Sequence, residues 1–466
     1  MRYKMTIDGK LVEGASTMGV EDPATGAVFE QCPLADEAQL NRAVAAAKAA
    51  FPAWAKRSHA ERGAYLIALA DALDNNIDEM AKLLTREQGK PLVMSQQELS
   101  RSAAFLRYNA TLDLPHQILH DNDKERVITT RTPLGVVAAI APWNSPVWLL
   151  MMKIPPALLS GNTIVAKPAP TSPLSTLFLG ELAASVLPAG VLNVITVTND
   201  LAAKLTRHPD VAKVSFTGST HNGIDVLQGA SSTLKRVTLE LGGNDAAIVL
   251  DDVDVDEVAP KIFTAAMANS GQVCFAAKRI YAPHAIYDRL CNALAALANK
   301  AIVGNGMDPS TQIGPIQNRA QYERVKELIE DSQRHGKIIA GGLPTDGPGY
   351  FIRPTIVRDL PDDARLVNEE QFGPVVPVLA YDGIDELMER VNDTKYGLAG
   401  TIWAKDTQRA FQIAQRVETG TMWINCYMNL KFDVPIGGAK QSGMGWQLGQ
   451  EGLEAFTQLK VITTAC

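Results

Sequence analysis

The sequence is poor in cysteine, and its cysteines lack the short spacings that hold metals. Only five occur in 466 residues, and no two of them make a CxxC pair. They are Cys32, Cys274, Cys291, Cys426 and Cys466. An odd number of widely separated cysteines is typical of reduced thiols and argues against a disulfide framework. We therefore expect a cytoplasmic location and no metal site.

The sequence also lacks a segment that would enter a membrane. Its first residues contain no apolar stretch of the kind that forms the core of a signal peptide. The long apolar run at 134–159 is interrupted by prolines, Asn144 and Lys153, which would break a membrane-spanning helix. We expect this run to form a buried strand, loop and helix, and we predict no membrane association.

Positive charge is not in excess either. The formal net charge is −7, which disfavours a protein that binds nucleic acid by neutralising phosphates. Charged residues make up 20% and hydrophobic residues 46% of the chain, as in ordinary globular proteins, which excludes disorder and coiled coil. At roughly 100–200 residues per domain, the length predicts two or three domains.

Strand-like and helical patterns alternate along most of the chain. Two amphipathic helices are predicted over 39–57 and 60–87, where apolar residues recur every three or four positions. Strands alternate with helices from residue 134, and a second such series begins near Asn244 and ends near Gly438. This alternation predicts an α/β fold, with a Rossmann-like doubly wound domain followed by a second α/β domain.

Standard phosphate and zinc motifs are absent, because GxGxxG, GxxxxGK[ST] and HExxH do not occur. Glycine- and asparagine-rich breaks follow the apolar strands instead, and two of them carry reactive side chains. Cys274, in GQVC, is a candidate nucleophile, although an isolated cysteine is more often a small buried side chain. Glu240, in LELGGN, is a candidate general base on water; the alternative is a salt-bridged turn residue.

Two further breaks are suited to binding negative charge. Asn144, in PWNSP, carries an amide that could donate to a developing oxyanion, or could instead bond the backbone of its own turn. Gly218 and Ser219, in FTGST, are expected to present free backbone N–H groups at a helix N-terminus, which is an anion site for a pyrophosphate. Many strand–helix junctions share this second pattern.

Taken together, these segments resemble the aldehyde dehydrogenase superfamily over essentially the full length of the chain. The matching segments, in the family's order, are PWNSP, KPAPTSP, FTGST, LELGGN, GQVC, EEQFGPV, NDTKYGLAG and PIGGAKQSGMG. The resemblance implies that the Cys274 thiolate attacks an aldehyde, that Asn144 and the Cys274 N–H hold the oxyanion, and that hydride passes to a nicotinamide. Glu240 would then activate the water that releases a carboxylic acid. Its presence favours hydrolytic members over those that transfer the acyl group to coenzyme A.

The resemblance also implies which residues contact the cofactor. They are Trp143, Lys167, Pro170, Gly218, Ser219, Gly242, Glu370 and Phe372. Many NAD-preferring members have a glutamate where this chain has Pro170, and that glutamate grips the adenosine ribose. Without the carboxylate nothing repels a 2′-phosphate, so we expect NAD or NADP as cofactor, with NADP at least tolerated.

An apolar wall is implied for the small-molecule substrate. It comprises Trp148, Met152, Phe275, Tyr427, Leu430 and Ile436, and favours an aromatic or medium aliphatic aldehyde. Relatives that oxidise succinate semialdehyde have arginines where this chain has Met152 and Ala268, which disfavours a carboxylate-bearing substrate. Asn429 and Lys431, however, could bind a polar tail. The alternatives are a semialdehyde dehydrogenase of amino-acid or polyamine catabolism and a structural or binding protein on the same fold.

The motifs divide the chain into three parts. We predict a cofactor-binding domain from 1–112 and 132–240, and a catalytic domain over 241–440. The polar segment 113–131 is expected to form a hairpin that, with 452–466, resembles the family's oligomerisation element. A homodimer or homotetramer is therefore expected.

Overall fold

The computed structural model describes residues 2–344 and 347–465. Cys466, the last residue of the predicted oligomerisation element, lies outside the described residues. Within them, two large sheets of mainly parallel strands are flanked by helices, and a smaller sheet stands apart from both. The predicted α/β fold is confirmed.

The first sheet has eight strands. In spatial order they are Lys10–Val12, Met5–Ile7, Leu192–Val194, Thr163–Lys167, Val136–Ile140, Val211–Thr217, Arg236–Glu240 and Gly443–Met444. The middle five are parallel, and their chain order across the sheet is 3-2-1-4-5, the order of a doubly wound fold. The order reverses between the strands that end at Ile140 and Thr217. A crevice at the carboxyl ends of these strands is therefore expected to bind ligands.

Helices cover both faces of the first sheet. They are Glu37–Ala55, His59–Asp74, Ile77–Gln88, Leu92–Asn109, Pro146–Met151, Ile154–Leu159, Leu174–Val186, Asn199–Arg207 and Thr220–Ser231. The prediction of one helix over 60–87 is wrong, because the chain leaves the helix at Asn75 and begins the next after Asn76. Asparagine favours such helix ends because its amide competes for backbone hydrogen bonds.

The apolar run at 134–159 forms a fully buried strand, a loop and two short helices. Each helix has six residues with proline in its first turn, where the missing N–H costs nothing. Within residues 2–344 and 347–465, no helix is long and apolar enough to cross a membrane.

The second sheet has seven strands. In spatial order they are Lys337–Ala340, Thr355–Arg358, Val375–Tyr381, Arg279–Pro283, Ala246–Val249, Ala399–Trp403 and Thr421–Ile424. All but the first run parallel to their neighbours. The helices of this half of the chain are Val255–Met267, His284–Lys300, Arg319–His335, Arg365–Asn368, Ile384–Asn392, Thr407–Ala414 and Gly449–Glu454, with a 3₁₀ turn at Ala268–Gly271.

The smaller sheet contains the predicted hairpin, Gln117–Asp121 and Glu125–Pro133, together with the C-terminal strand Thr457–Ala465. We call it the hairpin sheet. Apolar side chains lie exposed on it, including Ile118 and Val461. Two-stranded sheets complete the fold at Ser16–Asp22 with Ala27–Leu34, and at Tyr396–Gly397 with Ala439–Lys440.

Candidate active site

A cleft lies where the carboxyl ends of the first sheet meet the amino ends of the second. Thr217 and Glu240 end neighbouring strands of the first sheet at the same level. On the opposite side, Cys274 and Glu370 lie shortly before strands of the second sheet begin. The glycine-rich breaks of the sequence therefore meet at this cleft, and the break after Glu240 is the one that leads from the first sheet to the second.

The cleft has a volume of about 580 Å³, within the range of small-molecule sites. Its wall includes eight residues that the sequence predicts for the site: Trp143, Asn144, Gly218, Ser219, Gly242, Cys274, Glu370 and Phe372. Further wall residues that the sequence did not indicate include Gln321, Arg324, Lys395 and Gln441. Glu240 lies buried behind the wall, and Lys167 and Pro170 lie outside it.

The turn before Cys274 has an unusual backbone. Asn269, Ser270 and Gly271 all have positive φ, at 49°, 58° and 71°. Hydrogen bonds hold the first two, from Asn269 Nδ2 to the Asn144 carbonyl at 3.1 Å and from Ser270 Oγ to the Gly314 carbonyl at 2.8 Å. A strained backbone persists only where surrounding contacts hold it in place. These hydrogen bonds therefore fix the turn that positions Cys274.

Cys274 is partly exposed, and its carbonyl accepts a hydrogen bond from buried Lys278. The same ammonium donates to the Val273 carbonyl at 3.0 Å and lies 3.7 Å from Glu370 Oε1. Burial raises the pKa of the Cys274 thiol to about 12, with the Lys278 charge lowering it and the carboxylates of Asp245, Glu240 and Glu370 raising it. The thiol is thus protonated at neutral pH and needs a proton acceptor before it can act as a nucleophile.

Glu240 is a carboxylate with little solvation. It is 6% exposed, and its Oε1 is buried with no hydrogen-bond partner among the described residues. Burial raises the pKa of Glu240, and the nearby Lys153 ammonium lowers it in part. An acid group with a raised pKa that lies within electrostatic reach of a thiol is suited to accept and return a proton near neutral pH.

Lys153 is a buried residue of the site that the sequence analysis did not assign. It is 0% exposed, and its Nζ donates to Thr217 Oγ1 at 2.6 Å. Burial lowers the pKa of Lys153, whereas the charges of Glu240 and Cys274 raise it. The sequence does contain a sign of this role, because Lys153 is the single charged residue in the apolar run at 134–159. Burying a lysine without a partner is costly, so a lysine in such a run indicates a functional position.

Asn144 is fixed through both its side chain and its backbone. Its Nδ2 donates to the Gln272 carbonyl at 2.9 Å, which leaves the second N–H of this amide for a ligand. Its carbonyl accepts from Lys90 Nζ at 3.0 Å. Lys90 is ion-paired with Glu98, and both side chains are buried. Neither residue of this pair was identified from the sequence.

Glu98 also positions the helix that follows Asn144. Its Oε1 accepts hydrogen bonds from the backbone N–H groups of Val147 and Trp148, each at 3.0 Å. A carboxylate at this place satisfies first-turn N–H groups and interacts favourably with the helix dipole. The Asn144 loop is therefore supported from behind by the helix Leu92–Asn109.

The predicted anion site at Gly218 and Ser219 differs from expectation. The prediction that Gly218 presents a free N–H is wrong, because this group donates to the Glu240 carbonyl at 3.0 Å. The reason is that the parallel ladder between the two strands continues one residue beyond the strand end. Ser219 caps the helix Thr220–Ser231 by accepting from the Asn222 N–H, so the remaining first-turn N–H groups provide the anion site.

Glu370 and the glycine turn fit closely together. Glu370 Oε1 accepts from the Gly243 N–H at 3.0 Å. A Cβ on Gly242 would lie 2.2 Å from Glu370 Oε2, so only glycine leaves the carboxylate in place. Nearby, the rings of Trp143 and Phe372 meet edge to face, with centroids 5.3 Å apart.

Lys167 and Pro170 lie at the end of the neighbouring strand. Lys167 is 5% exposed, and burial lowers its pKa to about 8. Pro170 is partly buried. The structure does not place either residue on the cleft wall, and their predicted contacts with an adenosine ribose stay predictions.

Three of the six residues predicted for the substrate wall are aromatic, and none of the six lines the described cleft. Trp148 packs against Phe105 and Phe432, with ring centroids 5.4 and 6.1 Å apart. The guanidinium of Arg101 lies over the rings of Trp148 and Phe432, at 4.6 and 5.4 Å from their centroids, and donates to the Leu430 carbonyl. Phe105, Phe432 and Arg101 were not identified from the sequence.

A second aromatic group lies beside the nucleophile. Phe275 and Tyr427 both pack against Trp423, at centroid distances of 5.6 and 6.4 Å. In the part of the chain that the structure describes, the buried Tyr427 Oη has no hydrogen-bond partner. Burial raises the pKa of Tyr427, and the Cys274 charge adds to the effect. Met152 and Ile436 are 3% and 2% exposed and belong to the core around the first sheet.

Comparisons with known proteins agree with this architecture. A model of the aldehyde dehydrogenase family matches residues 11–462. The 2-aminomuconic semialdehyde dehydrogenase of Mus musculus is 34% identical over 473 residues, which cover 98% of this chain and 97% of that protein. The structure of an NAD+ complex of Bacillus cereus aldehyde dehydrogenase is 35% identical, with a TM-score of 0.97, and the match covers 100% of this chain and 97% of that one.

A second solved structure, of an E. coli NADP dependent enzyme, is 33% identical with a TM-score of 0.97, covering 100% of this chain and 98% of that one. Family, relatives and folds thus agree over nearly the whole length. The resemblance inferred from the motifs is confirmed, and this chain belongs to the aldehyde dehydrogenase family.

Proposed function

We propose that this protein oxidises an aldehyde to the carboxylic acid with reduction of NAD or NADP. The observation that carries the proposal is the placement of Cys274 on the cleft wall, with buried Glu240 within electrostatic reach. Formation and hydrolysis of a thioester require a nucleophile close to a carboxylate that can act as a base, and a raised pKa suits the carboxylate to that role.

The cleft fits a nicotinamide dinucleotide. The capped N-terminus of the helix Thr220–Ser231 is suited to binding a pyrophosphate. Because Gly242 has no Cβ, the Glu370 carboxylate has space to accept hydrogen bonds from ribose hydroxyls. Trp143 and Phe372 provide apolar edges for the nicotinamide ring. When bound, the cofactor supplies the acceptor for the hydride that leaves the substrate carbon.

In the proposed acylation, the partly exposed Cys274 thiol releases its proton to water in the cleft, and its sulfur forms a bond to the aldehyde carbon. The carbonyl oxygen takes up the negative charge, and the free N–H of the Asn144 amide donates to it, together with the Cys274 backbone N–H. The carbon then loses hydride, the C–O double bond forms again, and Cys274 carries a thioester.

In the proposed deacylation, Glu240 takes a proton from water while the water oxygen attacks the thioester carbon. The C–S bond breaks, and the electron pair returns to the sulfur of Cys274. The net reaction consumes an aldehyde, water and oxidised cofactor, and yields a carboxylate, reduced cofactor and two protons. Lys153 stabilises the ionised form of Glu240, which is the form that acts as a base.

The test is a screen of aromatic, aliphatic and carboxylated aldehydes with each cofactor, followed by the absorbance of the reduced nicotinamide. Cys274→Ala should abolish turnover. Cys291→Ala, which alters a buried thiol on the helix His284–Lys300, should retain it. Equal activity of Cys274→Ala and wild type would contradict the assigned nucleophile.

The choice between NAD and NADP is part of the proposal. Pro170 lacks the carboxylate that would repel a 2′-phosphate, which supports use of NADP. The relatives support both, since one solved structure is an NAD+ complex and another is of an NADP dependent enzyme. A kcat/KM for NAD more than about a thousandfold above that for NADP, or ~4 kcal/mol, would contradict tolerance of NADP.

The aldehyde is predicted to be aromatic or medium aliphatic, because the wall around Trp148 and Phe275 is apolar. The second candidate is a semialdehyde dehydrogenase of amino-acid or polyamine catabolism. It is supported by similarity to a 2-aminomuconic semialdehyde dehydrogenase and by the guanidinium of Arg101 on the same wall. Membership of the family weighs against the non-enzymatic alternative.

We also propose that the protein assembles as a homodimer or homotetramer through the hairpin sheet. Its exposed apolar residues are Ile118, Leu119, Leu459, Val461 and Ile462, and strand Thr457–Ala465 lies at an edge of the sheet. Such an edge is a template for pairing with another chain. The division into cofactor-binding, catalytic and oligomerisation parts remains a prediction.

A further inference from the structure

Arg101 carries a partly buried guanidinium that lacks a carboxylate partner. It lies on the helix Leu92–Asn109, one turn beyond Glu98 and one turn before Phe105. Its Nε is buried without a hydrogen-bond partner, and one terminal nitrogen donates to the Leu430 carbonyl. Burial lowers the pKa of Arg101, and no carboxylate among residues 2–344 and 347–465 offsets this effect.

This arrangement is costly unless a ligand completes it. Removing a cation from water without pairing it is strongly unfavourable. Stacking on two aromatic faces recovers part of this cost, but within the described residues it leaves the buried Nε–H without an acceptor. Arg107 on the same helix shows the ordinary alternative, since it is exposed and ion-paired with Asp71 and Asp74.

Arg101 lies against the helix that follows the Asn144 loop. The ring beneath it belongs to Trp148, one helical turn after the proposed oxyanion donor Asn144. The Trp148 N–H is held by Glu98, which lies on the same helix as Arg101. The guanidinium therefore has a fixed position on the predicted substrate wall. It packs against the helix Pro146–Met151, which follows the Asn144 loop.

We propose that Arg101 binds a carboxylate carried by the aldehyde substrate, with an unsaturated or aromatic body packed against Trp148 and Phe432. A guanidinium offers paired N–H donors that match a carboxylate in one plane. The aromatic rings favour a flat, apolar segment between the two polar ends of the substrate. This inference rests on the proposed function, and it names the substrate class as anionic aldehydes.

A carboxylated substrate departs from the expectation drawn from positions 152 and 268 of the sequence. Met152 and Ala268 replace the arginines of succinate semialdehyde relatives, which disfavoured a carboxylated substrate. Those two positions lie on other segments of the chain, whereas Arg101 reaches the wall from a helix with no recognised motif. A carboxylate held there lies beside Trp148, so its binding does not depend on either of those positions.

The experiment compares benzaldehyde with para-carboxybenzaldehyde, which differ by one carboxylate. Wild-type protein should show a higher kcat/KM for the carboxylated aldehyde. Arg101→Met should lower that kcat/KM by about 10- to 100-fold, the effect of losing charged hydrogen bonds, and should leave benzaldehyde nearly unchanged. Arg101→Lys should recover part of the loss, and Arg107→Met should alter neither substrate.

Equal losses for both aldehydes in Arg101→Met, or no loss for the carboxylated one, would overturn the inference. Failure of the proposed function is separate, because wild-type protein would then reduce no cofactor with any aldehyde. Calorimetric binding of the two aldehydes to Cys274→Ala tests Arg101 without turnover. A preference for para-carboxybenzaldehyde that disappears in Cys274→Ala/Arg101→Met supports the inference, and equal binding of both aldehydes opposes it.

Discussion

The ammonium of Lys90 donates a hydrogen bond of 3.0 Å to the backbone carbonyl of Asn144, across 54 residues of sequence. The same ammonium is paired with buried Glu98, whose other oxygen accepts from the helix that follows Asn144. The proposed oxyanion donor therefore depends on an ion pair from a different helix. This dependence links the stability of the protein to the geometry of its site.

Removing one partner of this pair should be costly. In Lys90→Met the Glu98 carboxylate stays buried without its cation, and we expect a loss of about 3–5 kcal/mol in the free energy of unfolding. Lys90→Met/Glu98→Gln should recover part of that loss, because the unpaired charge is gone while an acceptor for the helix N–H groups remains. Urea denaturation followed by circular dichroism measures both, and equal stability of the two variants would argue against the charge as the cause.

Glu240→Gln separates the two chemical steps. The amide cannot accept a proton from water, so steady-state turnover should fall by about 10²- to 10⁴-fold. The initial burst of reduced cofactor should persist, because hydride leaves before water attacks. Stopped-flow absorbance distinguishes the two phases, and loss of the burst would contradict the assignment of Glu240 as the deacylation base.

The pH dependence of turnover should follow the ionisation of Glu240. Burial raises the pKa of this group, and only the ionised form acts as a base, so deacylation should become faster as the pH rises through that raised pKa. The Lys153 charge lowers the pKa of Glu240, and Lys153→Met should therefore move the rising limb to higher pH. Single-turnover deacylation measured across pH provides the check, and a limb that moves to lower pH would refute the coupling.

Gly242→Ala should weaken cofactor binding. A Cβ there lies 2.2 Å from Glu370 Oε2, so the carboxylate must leave its hydrogen bond with the Gly243 N–H. We expect an increase in the KM for NAD or NADP of about tenfold or more, the equivalent of one lost charged hydrogen bond. Gly383→Ala is the matched control, since nothing lies within 4 Å of its added Cβ.

The hairpin sheet should carry the contacts between subunits. Val461 is 57% exposed on the edge strand, and Val461→Lys would bury a charge in an apolar interface. Light scattering after size exclusion should show a smaller assembly for this variant than for wild type. Phe411→Lys, which alters an exposed residue on the helix Thr407–Ala414, should leave the mass unchanged.

Much of the fold could be predicted because it depends on local patterns. Strand Val136–Ile140 lies within the apolar run at 134–159, and helix Glu37–Ala55 lies where apolar spacing predicts a helix over 39–57. The break at Asn75 was missed, since apolar spacing continues across it while the helix does not. The hydrogen bond that occupies the Gly218 N–H could not be predicted, because its acceptor lies on a neighbouring strand.

By itself, the sequence determined the α/β class and the family, and its local motifs indicated candidate site residues such as Cys274 and Glu240. The tertiary structure decided which side chains without motifs join them. The roles proposed for Lys153 and Arg101 depend on burial beside groups from remote segments. The physical reason is that burial and charge proximity are properties of packing: they set the pKa values, and within the described residues they leave the Arg101 guanidinium without a carboxylate partner.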